Sequence, residues 1–208
     1  MTETMLVIPR LYPILDAGYF ADAAEMFLAA EEFAASGITL LQYRNKSGHA
    51  RQMLDHAREL RRRLAPTVKL IMNDRADLCL AADFDGLHIG QDDLSPNSAR
   101  TIIGPNCWLG VSTHNPEQLA EADKTTADYL AIGPIFATSS KANPDPVVGL
   151  DGIRRARELT RKPLVAIGGI TRANARSVID AGADSVAVIS DLLLSPRKSA
   201  EEFIRVLG

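Results

Sequence analysis

The sequence predicts a single (β/α)8 TIM barrel of the α/β class, and three observations carry that reading. Short β-branched or apolar runs alternate with longer amphipathic stretches along the whole chain, the rhythm of βαβ units on a parallel sheet. There are eight such runs, each followed by a helical stretch, so 208 residues give about 26 per unit, compact but sufficient for a barrel with short loops. The turn after the first run reads Leu15-Asp-Ala-Gly-Tyr19. It lacks the Gly-x-Gly-x-x-Gly signature that a doubly wound open sheet would carry there.

The elements follow in order. A first strand over Leu11–Leu15 leads to a helix over Phe20–Ser36, with Gly37 just past its end. Ile38–Tyr43 leads to Ala50–Leu64, Lys69–Asn73 to Asp77–Ala82, and Gly86–Ile89 to Asn97–Ile103. Trp108–Ser112 leads to Pro116–Ala122, where Asn115 is a capping residue ahead of a first-turn proline. Tyr129–Ile132 leads to Leu150–Thr160, Leu164–Ile167 to Ala173–Asp180 with Gly182 behind it, and Ser185–Ile189 to Ala200–Leu207. Glycine past a helix and proline in its first turn are the usual boundary signals.

Composition narrows the function. With 46% hydrophobic and 24% charged residues, one domain over residues 1–208 has enough apolar content for a continuous core. The longest apolar runs, Ser185–Ile189 and Leu164–Ile167, are strand-sized and far short of the ~20 residues of a membrane helix. Met1–Arg10 carries Glu3 and lacks the pattern of an export leader, so a cytoplasmic protein is expected. Cys79 and Cys107 have neither the number for a disulfide framework nor metal-ligand spacing, and buried core thiols are expected. A net charge of −3 gives no broad basic field for nucleic acid, so an anionic small molecule must be met by a local cluster. Exposed barrel helices are compatible with a homo-oligomer, though no residue stripe marks an interface.

Barrel chemistry gathers where strands end, and the unusual polar residues fall there. The second strand runs into Gln42-Tyr43-Arg44-Asn45-Lys46, the third into Asn73-Asp74, the fourth into Gly90-Gln91-Asp92-Asp93, and the fifth into Ser112. Gln42, Arg44 and Lys46 are spaced by two and project together if the extended conformation persists. An arginine fork beside a lysine suits a diphosphate; a solvated polar loop is the bland alternative. Asp74 and Asp93 sit on neighbouring strand ends, which lie ~5 Å apart, so both carboxylates can reach one magnesium ion. Alternatively, Asp74 pairs with Arg75 or caps a helix, and Asp92 or Asp93 caps a turn. After the seventh strand, Gly168-Gly169 lets backbone N–H groups approach an anion, and with Ile189-Ser190 after the eighth forms the place where barrels often bind phosphate. Of the four histidines, His49 and His56 are read on a surface helix, and His88 and His114 near the active end in structural or substrate-shaping roles.

Taken together, Gln42 to Lys46, Asn73-Asp74-Arg75, His88-Ile-Gly90-Gln91-Asp-Asp93, Gly110-Val-Ser112, Asp128 to Pro134, Thr138 to Lys141 and Ile167 to Ile170 resemble the thiamine phosphate synthase family, from Leu11 to about Leu193. The resemblance implies coupling of a hydroxymethylpyrimidine diphosphate to a thiazole phosphate, with release of diphosphate. Carried over by motif, Gln42, Tyr43, Arg44, Asn45, Lys46, Asn73, Ser112 and Lys141 would hold the pyrimidine diphosphate, with Arg44, Lys46, Lys141 and Ser112 assisting its departure. Asp74 and Asp93 would bind magnesium, while Thr138, Ser139, Ser140, Gly169, Ile189 and Ser190 would meet the thiazole phosphate. The family often has threonine where this chain has Ser140, a change that keeps the hydroxyl. The turn-rich stretch Lys141–Val147 is a candidate lid. Two rival readings stand beside this one: a thiazole tautomerase-like barrel, which needs no grip on a diphosphate, and a non-catalytic sensor of thiamine phosphate.

Overall fold

The eight apolar runs become strands buried on both faces: β1 (Leu11–Asp16), β2 (Leu40–Arg44), β3 (Lys69–Asn73), β4 (Gly86–Ile89), β5 (Trp108–Thr113), β6 (Tyr129–Ile132), β7 (Leu164–Ile167) and β8 (Ser185–Val188). The computed structural model describes residues 6–138 and 145–208. In it each strand pairs in parallel with the next, and β8 with β1, closing the barrel. Helices cover the outside while side chains fill the inside, which is why the strands read as continuous apolar runs.

The two-residue period divides each strand between two cores. Tyr12, Ile14, Leu40, Ile71, Tyr129, Val165 and Ala187 fill the interior, while Leu15, Leu41, Tyr43 and Met72 pack outward against the helices. Register keeps inward residues side by side: Asn73 with His88, His88 with Gly110, and Gly110 with Tyr129.

The helices are α1 (Ala23–Ala35), α2 (Ala50–Arg63), α3 (Ala76–Ala81), α4 (Pro96–Ile103), α5 (Pro116–Asp123), α6 (Gly149–Leu159), α7 (Ala175–Asp180), α8 (Ser190–Leu193) and α9 (Pro196–Leu207). Asn115 accepts from the Gln118 N–H at 2.8 Å to open α5, and Gly37 and Gly182 follow α1 and α7 with φ of 90° and 115°, as the sequence predicts. Several boundaries differ by a residue or more, and three of the differences have a visible local cause. Asp16 caps a 3-10 turn at Ala17–Tyr19 and Asp22 accepts from the Glu25 N–H, so α1 starts at Ala23 rather than Phe20. Pro196 occupies the first turn of α9, which therefore begins before Ala200. β8 ends at Val188, and the short helix α8 follows from Ser190.

At the N-terminal ends of the strands one arrangement recurs three times. Asp85, just before β4, accepts from the Leu70 N–H of β3 at 2.9 Å and from Arg61 of α2 at 2.5 Å. Asp128, before β6, accepts from Leu109 N–H of β5 at 2.7 Å and Arg100 of α4 at 2.6 Å. Asp184, before β8, accepts from Leu164 N–H of β7 and Arg157 of α6, both at 2.8 Å. Each carboxylate ties two strands to the helix that precedes them. Burial pushes the Asp85 carboxyl up, but Lys69, the Leu70 N–H and Arg61 outweigh it and hold it below the usual carboxylate range.

Cys79 is buried on α3, whereas Cys107 is only half-buried, against the expectation of two core thiols; their sulfurs lie 3.7 Å apart. Among the described residues no helix is long and apolar enough to cross a membrane.

Candidate active site

The strand ends open into a cavity of about 520 Å³ at the C-terminal mouth of the barrel. Gln42 and Arg44 of β2 and Lys46 of the following loop line it. Tyr43, pointing the other way by the strand period, is buried under α2 with its hydroxyl 3.0 Å from His56 Nδ1. Asn45 folds back on its own loop, where Oδ1 accepts from the Ser47 and Gly48 N–H groups at 3.1 and 2.8 Å. The sequence grouped these two with the ligands; neither lines the cavity. His56, expected at the surface, is half-buried against Phe27 and Tyr43.

Among the described residues, the two cations that line the mouth are already engaged. Arg44 is ion-paired with the buried Asp16 at the end of β1, and Lys46 with Asp74. Arg75 turns instead to Asp77 at 2.5 Å, which decides between the partners open to Asp74. Asp74 holds a left-handed φ of 62°, a conformation aspartate tolerates better than most residues. Its N–H donates to the His88 carbonyl at 2.8 Å. Asp93 Oδ2 accepts from the Gly90 N–H at 2.7 Å, so it does close a turn. Burial raises the Asp74 carboxyl; Lys46 pulls it back, while the facing Asp93 carboxyl pushes it further up. The two carboxylates therefore share one place. Among the described residues no group of three or more His, Cys, Asp or Glu side chains surrounds an ion position. A carboxylate pair completed by phosphate and water is the donor set magnesium accepts.

Charge across the cavity points the same way. Asp74, Asp92 and Asp93 line it beside Arg44 and Lys46, so the described part of this wall carries more negative than positive groups. An anionic ligand seated there needs positive charge from elsewhere.

The opposite wall is built from the later strands. Thr138, Gly169, Ile189 and Ser190 line it, with α8 beginning at Ser190. Gly168 and Gly169 have φ of 98° and 64°, and a Cβ on either would strike the segment Pro134 to Ala137. The glycine pair lets the β6 loop lie across the β7 loop, with Ile135 and Phe136 N–H donating to the Ile167 and Gly168 carbonyls at 2.9 and 3.0 Å. Ser139, Ser140 and Lys141, with most of the candidate lid, lie outside the described residues. His114 Nδ1 meets the Gly133 carbonyl at 2.6 Å and the Asp145 carboxylate at 3.5 Å.

Asn73 and Ser112 also line the cavity. Ser112 Oγ is 2.8 Å from His88 Nε2, and burial pushes the His88 imidazole down to about 4 against the opposing pull of Asp93. Tyr12 and Tyr129 extend this row of polar groups across the barrel interior.

A family model described as thiamine monophosphate synthase matches residues 11–192. The chain belongs to the thiamine monophosphate synthase family. It is 64% identical over 205 residues to the thiamine-phosphate synthase of Koribacter versatilis, covering 97% of each chain. It is 47% identical over 193 residues to that of Chloroflexus aurantiacus, covering 91% of this chain and 88% of the relative. Among solved structures, thiamine phosphate pyrophosphorylase from Pyrococcus furiosus superposes with a TM-score of 0.84 at 33% identity over 95% of each chain. A tryptophan synthase α-subunit from the same organism reaches a TM-score of 0.67 at 17% identity, a likeness of fold alone. As a thiamine monophosphate synthase family member the chain is a transferase homologue. Tyr12, Tyr129 and the partners of His88 escaped the sequence reading. Strand parity was the available signal, because it turns Tyr12, His88, Gly110, Ser112 and Tyr129 all inward.

Proposed function

We propose that the cavity joins a hydroxymethylpyrimidine diphosphate to a thiazole phosphate, giving thiamine phosphate and diphosphate. The supporting observation is the division of one cavity into two walls. Paired carboxylates, Arg44 and Lys46 stand on one side, and glycine backbone with Thr138 and Ser190 on the other. The first wall suits an anion that leaves, the second a phosphate that stays.

The reaction is substitution at carbon. The bond between the methylene carbon and the diphosphate oxygen breaks with both electrons going to oxygen. The resulting pyrimidinylmethyl cation, stabilised by its electron-rich ring, then takes the lone pair of the thiazole nitrogen to form the C–N bond. No covalent enzyme nucleophile takes part. Arg44, oriented by Asp16, and Lys46 face the oxygens where charge grows, and such contacts strengthen in the transition state. Lys141 adds a third cation in this reading. Magnesium bound by Asp74 and Asp93 would supply the positive charge that the described wall lacks. Asn73, Gln42 and Ser112 hold the pyrimidine diphosphate, and the later loops hold the thiazole phosphate alongside it, so that capture outruns attack by water. The enzyme works on small molecules in the cytoplasm.

The test is purified protein with both substrates, with and without magnesium. Thiamine phosphate and diphosphate are expected in equal amounts, with turnover dependent on the metal. No turnover at saturating substrate and magnesium would refute the synthase assignment.

A further inference from the structure

Across the barrel interior, along the floor of the cavity, five side chains from five strands are hydrogen-bonded end to end. Gln42 Nε2 donates to Tyr12 Oη at 3.0 Å; Tyr12 Oη lies 3.0 Å from Tyr129 Oη; Tyr129 Oη lies 3.0 Å from His88 Nδ1; and His88 Nε2 lies 2.8 Å from Ser112 Oγ. The first four residues are buried, none above 8% exposed. Gly110 makes the middle of the chain possible. It lies beside His88 on one flank and Tyr129 on the other, and a Cβ there would occupy the space where Tyr129 Oη meets His88 Nδ1.

The direction of the chain follows from its first member. An amide nitrogen donates and does not accept. With that hydrogen received, Tyr12 gives its own to Tyr129, and Tyr129 gives its own to His88 Nδ1. An imidazole accepting at Nδ1 carries its hydrogen at Nε2 and donates it to Ser112 Oγ. The Ser112 hydroxyl, its oxygen occupied from behind, turns its hydrogen into the cavity. Buried polar groups that merely filled space would gain nothing over apolar ones, because each demands a partner. This row is satisfied link by link and ends at a cavity hydroxyl.

We infer that the Gln42–Tyr12–Tyr129–His88 chain holds His88 as its Nε2–H tautomer and thereby makes Ser112 a hydrogen-bond donor to the pyrimidine diphosphate. His88, Tyr129 and Tyr12 are positioning residues that act through Ser112. The donor role toward substrate rests on the synthase reading; the tautomer does not.

Two measurements test it. Nitrogen NMR of the full chain with ¹⁵N-labelled imidazoles, assigned by comparison with His88→Gln, is expected to show hydrogen on Nε2 of His88 at pH 7.5. Hydrogen on Nδ1 would overturn the chain's direction whatever the protein catalyses. In steady-state kinetics, His88→Phe is expected to lower kcat by about tenfold, the worth of one lost hydrogen bond, while KM for the thiazole phosphate stays unchanged. The double variant His88→Phe/Ser112→Ala should be no slower than Ser112→Ala alone, and His88→Gln, which keeps an N–H donor, should recover part of the loss. Multiplying losses in the double variant would show that His88 acts independently of Ser112 and would overturn the proposal. Should His88→Phe fail to fold, Tyr129→Phe removes a single oxygen and supplies the same comparison. An inactive wild type would instead refute the synthase reading, and the imidazole spectrum would still decide the tautomer.

Discussion

Asp93 shows how much one side chain does at the mouth of the barrel. Its carboxylate closes the Gly90 turn and faces Asp74, whose own proton affinity rises in response. Removing it relieves a like-charge contact while losing one hydrogen bond at an exposed position, so stability should change little. Its proposed contribution to metal affinity is another matter. Asp93→Ala is expected to reduce turnover by at least ~100-fold at the original magnesium concentration, with a melting temperature close to that of the parent. Steady-state assays over a magnesium series, beside thermal melts, check both halves; unchanged turnover at the original magnesium requirement would remove Asp93 from the metal site. Legibility differed sharply between neighbouring residues. Arg44 and Lys46 could be placed by their spacing of two, and the same spacing turns Tyr43 away. The ion pairs that occupy both cations could not be read, because Asp16 and Asp74 come from other strands.

At the scale of strand and helix, the carboxylates at the N-terminal ends matter more for stability than for chemistry. Asp85 is partly buried and accepts from Lys69, Leu70 N–H and Arg61. Asp85→Ala leaves two cations without their partner and is expected to cost about 2 kcal/mol, read by denaturant unfolding, with kcat unchanged because the site lies at the opposite end of the barrel. Since Asp85 is held below its unfolded value of ~3.9, its contribution is present above that pH and is lost as acid protonates it. A kcat that fell together with stability would contradict this separation. The strands were legible as short apolar runs between turn signals, and most helices by their period of 3.6. Helix α8 was not: four residues are too few for a period, and its start depends on how β8 ends at Val188. Gly110 was equally silent, because a glycine's purpose here lies in the neighbours that fill its space.

For the whole molecule, topology was legible from eight repeats with polar residues at matching ends, and the family from the resemblance of the motifs those ends carry. Side-chain pairing between distant strands was not, because register is a property of the assembled barrel. The three aspartate ties have a further consequence for how the native state comes apart. They bind β3 to β4, β5 to β6 and β7 to β8, each with the helix that precedes the pair. The barrel should therefore open in cooperative blocks rather than strand by strand. Native-state hydrogen exchange is expected to group amides by these pairs, and Asp184→Ala to lower protection in β7 and β8 together while sparing β3 and β4. Uniform loss around the ring would show that the barrel yields as one unit.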